Sequence, residues 1–162
     1  VPVEELAANT RRHMDEILEY LLKNTPKREV LNDPFITVTG RTHIVNKMKN
    51  IIGMALERIY LSVSKEELEY VGRELVDARN RGLKVVVITS RPFSMEGAVV
   101  YYNEKQPGQI RLIADSSYVL TGEITGESSS TCLYSKNKNL IQLIKDSLTN
   151  EIQLIQIREK GS

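Results

Sequence analysis

The chain has 162 residues, the length of one domain with a core of its own. It is 41% apolar and 27% charged with a net charge of +1, which excludes a disordered chain and gives no global electrostatic case for binding nucleic acid or membrane. One cysteine, Cys132, excludes an internal disulfide; with no signal-peptide pattern and no long apolar span, a cytoplasmic location is expected.

The first segment, residues 1–25, reads as a linker or dimerisation helix. Pro2 and the acidic pair Glu4-Glu5 suit a helix start. Val3, Ala7, Thr10, Met14, Ile17 and Leu21 follow the four-three spacing of a coiled-coil seam. That seam serves either a homodimer or packing on the chain's own domain. "NTPKREVLNDP", ending in Pro34, is rich in turn formers and marks the boundary of a domain expected over 34–160. A start at Val1 without Met reads as a piece of a longer protein, and Gly161-Ser162 as an appended remnant.

Strand and helix alternate after Pro34. "FITVTG" is a short strand closed by Gly40. "RTHIVNKMKNIIGMALER" places Ile44, Met48, Ile51, Ile52 and Ala55 on one helical face. "IYLSV" is a strand. "SKEELEYVGRELVDARNRG" reads as one helix with a Ser64/Glu67 capping box and Gly82 as its C-cap. "LKVVVIT" has the continuous apolar run of a strand covered on both faces. This order predicts an α/β fold with a mostly parallel sheet flanked by helices. "GAVVYYN", "QIRLIAD", "SYVLTGEI" and "TCLYS" then read as short strands whose hairpins extend the sheet. "KNLIQLIKDSLTNEIQLIQIREK" is a long helix with the stripe Ile141, Ile144, Leu148, Ile152 and Ile155, and Thr149-Asn150 as a place for a break.

In such sheets, ligands bind beyond the carboxyl ends of the strands. The candidate ligand-binding residues there are Arg41, at a helix start after Gly40; Ser62, at the end of "IYLSV"; and Ser90 and Arg91, leaving the central strand. Catalytic and metal constellations are missing. His13 and His43 lack cysteine or carboxylate partners at ligand spacing, and His43 is expected to pack against the sheet. Cys132 reads as a buried thiol. No Walker A loop, dinucleotide fingerprint or nucleophile elbow is present, so no cofactor is expected.

The pattern "IIGMALERIYLSVSKEELEYVGRELVDARNRGLKVVVIT" resembles the opening of a phospholipase D-like domain. In that family a later signature runs His, one residue, Lys, four residues, Asp. "IADSSYVLTGE" is similar to its tail, with Asp115 in the Asp place. Ile110 then holds the Lys place and Gly108 the His place, so the resemblance is to a degenerate, non-catalytic form. Asp115 becomes a turn former that accepts bonds from Ser116 and Ser117, and Glu123 becomes the better ligand contact. Nearly the whole chain is similar to the C-terminal effector domain of TrmB-type transcriptional regulators. That resemblance implies a sugar or sugar-phosphate effector and a homodimer. It also implies DNA contact only through a winged helix lying outside these residues. It does not imply an enzyme. The rival readings are a phosphodiesterase or nuclease using His43 or Asp115, and a dimerisation domain without a ligand.

Overall fold

The computed structural model describes residues 35–90, 92–126 and 128–161. The expected helix over 1–25, the Pro34 boundary and His13 lie outside them. The described residues form β1 (Ile36–Thr39), α1 (Arg41–Met54), β2 (Arg58–Val63), α2 (Lys65–Tyr70), α3 (Gly72–Asn80), β3 (Lys84–Thr89), β4 (Val99–Tyr102), β5 (Gln109–Ala114), β6 (Tyr118–Glu123), β7 (Thr131–Ser135) and α4 (Lys138–Lys160).

The seven strands make one sheet in the order β1-β7-β6-β5-β2-β3-β4. The α/β class is as expected, but parallel pairing is narrower than the alternation predicts. It is confined to β2–β3 and β3–β4, while the other four pairings are antiparallel. The physical reason lies in the connections. Helices α2 and α3 carry the chain back over the sheet between β2 and β3, whereas short turns join β5 to β6 and β6 to β7 and can only reverse it. The hairpins expected in the second half are those two. β4 instead lies parallel to β3 at the sheet edge.

Each face of the sheet buries its own core. Against one face pack Ile44, Met48, Ile51 and Ile52 of α1, the helical stripe expected, with Leu68 and Leu75 of α2 and α3. Against the other lies α4, whose Ile141, Ile144, Leu148 and Ile155 meet Ile88, Ile113, Val119 and Leu133. β3 touches both cores and has only Lys84 exposed, as its apolar run requires. α4 is unbroken at Thr149-Asn150 because its apolar stripe continues through that point; Asn137 caps its start, accepting from the Leu140 N–H at 3.0 Å.

The predicted helix after Ser64 is two helices. Val71, at φ −119°, interrupts it before Gly72. Ser64 bonds the Glu67 carboxylate with its hydroxyl instead of a backbone N–H. Gly82 does close α3: at φ 88° it bonds Arg79 O at 2.9 Å, and the Leu83 N–H reaches Ala78 O at 3.1 Å. Arg81 closes α1 from outside, donating to the carbonyls of Ala55 at 2.8 Å and Ile52 at 2.9 Å. His43 is exposed, not packed on the sheet, since it stands off the Ile44–Met48 stripe.

Asp115 does more than form a turn. It and Ser116 adopt φ 56° and 54°, the left-handed pair of a tight hairpin turn, closed by the Ser117 N–H on Ala114 O at 3.0 Å. Its carboxylate does not bond Ser116 or Ser117. It accepts the N–H groups of Leu56, Glu57 and Arg58 at 2.9, 2.8 and 3.0 Å, because β5 runs antiparallel to β2 and ends beside its start. Partial burial pushes this carboxyl up, but the three backbone bonds outweigh it and hold its pKa below the ordinary carboxylate value. Such a group stabilises the fold above its unfolded pKa, and the contribution disappears as pH falls through the lower folded value. Asp115→Asn keeps the turn-compatible shape and should cost about 1–2 kcal/mol at pH 7. Urea titrations should show the gap to the parent protein closing as pH drops below about 4.

Candidate functional site

The strand order places a crevice where the chain changes direction. It proceeds from β2 to β3 to β4, then returns past both to pair β5 on the other side of β2. This is the switch-point geometry at which open α/β sheets hold ligands. The return is made by the loop 103–108, which crosses the carboxyl ends of β3 and β2. Under it lies a cleft of about 510 Å³, lined by Glu66, Ser90, Lys105, Gln109, Arg111 and Glu151 among others.

The floor of the cleft is charged. Tyr60, Ser62, Arg111 and Ile113 belong to the sheet face that α4 covers, since alternate residues of β2 and β5 go to the other core. Ser62 and Arg111 are register partners. The Ser62 hydroxyl donates to Glu151 of α4 at 3.3 Å, and Lys105 donates to the same carboxylate oxygen. The Lys105 side chain is only 3% exposed and that of Glu151 16%. Arg111 donates to the Ser147 hydroxyl at 3.2 Å, one helical turn from Glu151. Burial pulls the Lys105 ammonium below the usual lysine range, and nearby Arg111 adds to this; the hydrogen bond and charge of Glu151 oppose it. Arg158, farther along α4, ties the helix to the loop by donating to Tyr102 O at 3.0 Å and Asn103 Oδ1 at 3.2 Å.

The sequence-predicted residues are partly gathered here. Ser90 lines the cleft and accepts the Lys65 N–H at 3.2 Å. Ser62 lies beneath it, on Glu151. Glu123 ends β6 opposite Gln109, one strand beyond the cleft wall. Arg41 stands apart, donating to the Tyr70 hydroxyl at 3.0 Å and to Thr125 O at 3.5 Å. Arg91 lies outside the described residues. Sequence reasoning missed Lys105, Arg111 and Glu151. The one signal was Arg111 inside the apolar strand "QIRLIA", since a charge on a covered strand face needs a polar neighbour. A larger hollow of about 730 Å³, lined by Val76, Arg79, Phe93 and Met95, lies between α3 and the segment after β3. We favour the smaller cleft, because of these two it is the one that combines the strand ends with a buried charged floor.

Gly108 and Ile110 stand at the edge of this crevice, as the start of β5. Ile110 is fully buried in the core opposite α4. Gly108 has φ 85°, and a Cβ there would lie 2.0 Å from the Ile124 carbonyl oxygen. The backbone pair is tight: the Ile124 N–H donates to Gly108 O at 2.7 Å. No side chain fits at Gly108 without moving the exit of β6. Cys132 is buried, and burial together with Glu123 pushes its thiol up to about 12, which removes it as a nucleophile at neutral pH.

Two stability measurements check this site. Gly108→Ala should cost about 3 kcal/mol or more in urea unfolding, since it combines a left-handed φ with a backbone clash. Lys105→Met should cost about 3 kcal/mol by leaving Glu151 without its cation. The double variant Lys105→Met/Glu151→Leu should recover most of that loss, a non-additivity that a solvated pair would lack.

Residues 34–151 match the family model described as "Transcriptional regulator TrmB, EBD N-terminal subdomain". The chain is 27% identical over 171 residues to the uncharacterized protein YrhO of Bacillus subtilis (strain 168), covering 99% of this chain and 62% of that one. It thus spans less than two thirds of that relative's length. Among solved structures, the archaeal chromatin protein TrmBL2 aligns over 93% of this chain and 62% of its own, with a TM-score of 0.63 at 17% identity. Nuc from Salmonella typhimurium, a phospholipase D family member, aligns over 73% of this chain and 93% of its own, with a TM-score of 0.58 at 14% identity. The two structural likenesses establish the fold as phospholipase D-like.

Proposed function

The chain belongs to the TrmB family of transcriptional regulators, and on that footing we propose that it is the effector-sensing part of such a regulator. A small polar metabolite, a sugar or sugar phosphate, binds in the cleft under the 103–108 loop. Binding is relayed through residues 1–25 to a winged helix outside this chain, which contacts DNA in a cytoplasmic homodimer. The observation that carries this reading is the cleft itself. It sits at the strand-order switch and offers donors from Lys105, Arg111 and Gln109 beside acceptors from Glu66, Ser90 and Glu151. Sugar hydroxyls donate and accept, so a mixed lining suits them.

The domain is read as a sensor and not an enzyme. Phosphodiester cleavage of the phospholipase D kind resembles nucleophilic catalysis by histidine, and the corresponding places here hold Gly108 and Ile110. His43 is exposed, and the Asp115 carboxylate is engaged by three backbone N–H groups at the opposite edge of the sheet. No helix among the described residues is long and apolar enough to cross a membrane.

A thermal-shift screen of sugars, sugar phosphates and nucleotides tests the reading. A true effector should raise Tm by roughly 5–10 °C at about a hundredfold excess over Kd, and Gln109→Ala should weaken the response. A screen in which no metabolite class moves Tm sinks the sensor reading. Hydrolysis of a generic phosphodiester, lost on His43→Ala, would restore the enzyme.

A further inference from the structure

The floor of the cleft holds two cations and one carboxylate. The Lys105 side chain is almost completely removed from water, and its ammonium is neutralised by Glu151. Arg111 lies near enough to act on Lys105 electrostatically, while it donates to a neutral hydroxyl, that of Ser147. Glu151 is therefore the bonded counter-ion of Lys105, in a floor where Arg111 adds a second positive charge. It comes from a helix on the far side of the crossing loop and retains an opening to solvent. Its position is one that a ligand's oxyanion would also satisfy, with Lys105 and Arg111 as donors.

The rim has a different character. Glu66, Glu104, Gln106 and Gln109 border the same cleft. Carboxylates and amides accept bonds from ligand hydroxyls and repel a second anionic group. A matching ligand carries one anionic head and a hydroxylated body.

We propose that Glu151 is a tethered stand-in for that head: a hydroxyl-rich carboxylate or phosphate displaces it from Lys105, beside Arg111, and α4 loosens from the crossing loop as the exchange occurs. This rests on the effector-sensing reading above and adds the ligand's charge and the switching contact. One anion replaces another, so Lys105 is never left buried without a counter-charge. The displaced Glu151 leaves Ser62 and swings to solvent. The 103–108 loop and α4 are then held together by Arg158 on Tyr102 and Asn103, without the buried pair. The binding site and the movable helix share one carboxylate, which gives the two states their difference in affinity.

Calorimetric titration with gluconate, glucose 6-phosphate and glucose tests the exchange. Glu151→Gln removes the competing charge and should tighten anionic probes about ten-fold, with glucose unchanged. Ser62→Ala weakens only the hold on Glu151 and should tighten them about two- to three-fold, so it carries the test if Glu151→Gln does not fold. Lys105→Met should abolish the anionic response. Whichever anion gains more identifies the head group as carboxylate or phosphate. Anionic affinities that stay flat or fall in both Glu151→Gln and Ser62→Ala overturn the exchange, as does the absence of anion binding in every variant. A persisting glucose response in that case leaves the sensor reading standing; silence from all three probes and from the wider screen removes both.

Discussion

The antiparallel pairing of β2 with β5 is the joint on which the molecule depends. On one side lie β2, β3 and β4, joined by parallel pairing; on the other lie β5, β6, β7 and β1, joined by antiparallel pairing. Only these two strands, through five register pairs, carry the ladder from one half to the other. Each end of the joint is secured by a charged side chain. At the amino end of β2, Asp115 grips three successive N–H groups. At the carboxyl end, Lys105 and Arg111 converge on α4 through Glu151 and Ser147. The first anchorage is built of backbone donors and has no alternative partner. The second is built of side chains, and side chains can change partners.

This division assigns different work to the two edges of the sheet. The edge with Asp115 is rigid, because its carboxylate satisfies N–H groups that would otherwise lack a ladder partner. The opposite edge holds the cleft, and its polar groups bond one another across a boundary between loop, strand and helix. Low-stability contacts at the cleft and high-stability contacts away from it are what the proposed sensor would require. The apolar stripes of α1 and α4 supply the background stability on both faces.

Much of this was legible in the sequence, and the failures have physical causes. The Ile44–Ile52 stripe and the "LKVVVIT" run are local periodicities, so their burial could be read directly. The position of Asp115 was legible from the signature around it, but its role was not: its partners lie 57–59 residues away, brought close by strand pairing. The sheet's mixed direction escaped because an alternating strand-helix order does not specify where a later hairpin joins. Ser62 and Ser90 were legible from their places at strand ends. Lys105 was not, because "NEKQPGQ" has the composition of a solvated loop. Its burial comes from the route the loop must take over β3 and β2, and from a helix that begins only at Lys138.

The close approach at Gly108 has an evolutionary consequence. A glycine can ordinarily be replaced by one codon change wherever there is space for a side chain. Here that space has been taken by the main chain of another strand, with the Ile124 carbonyl where a Cβ would stand. A histidine at this position would need the β6 exit rebuilt before it could be accommodated. The backbone is thereby fixed where β5 begins, so variation beside the cleft is left to the side chains of the crossing loop and of α4.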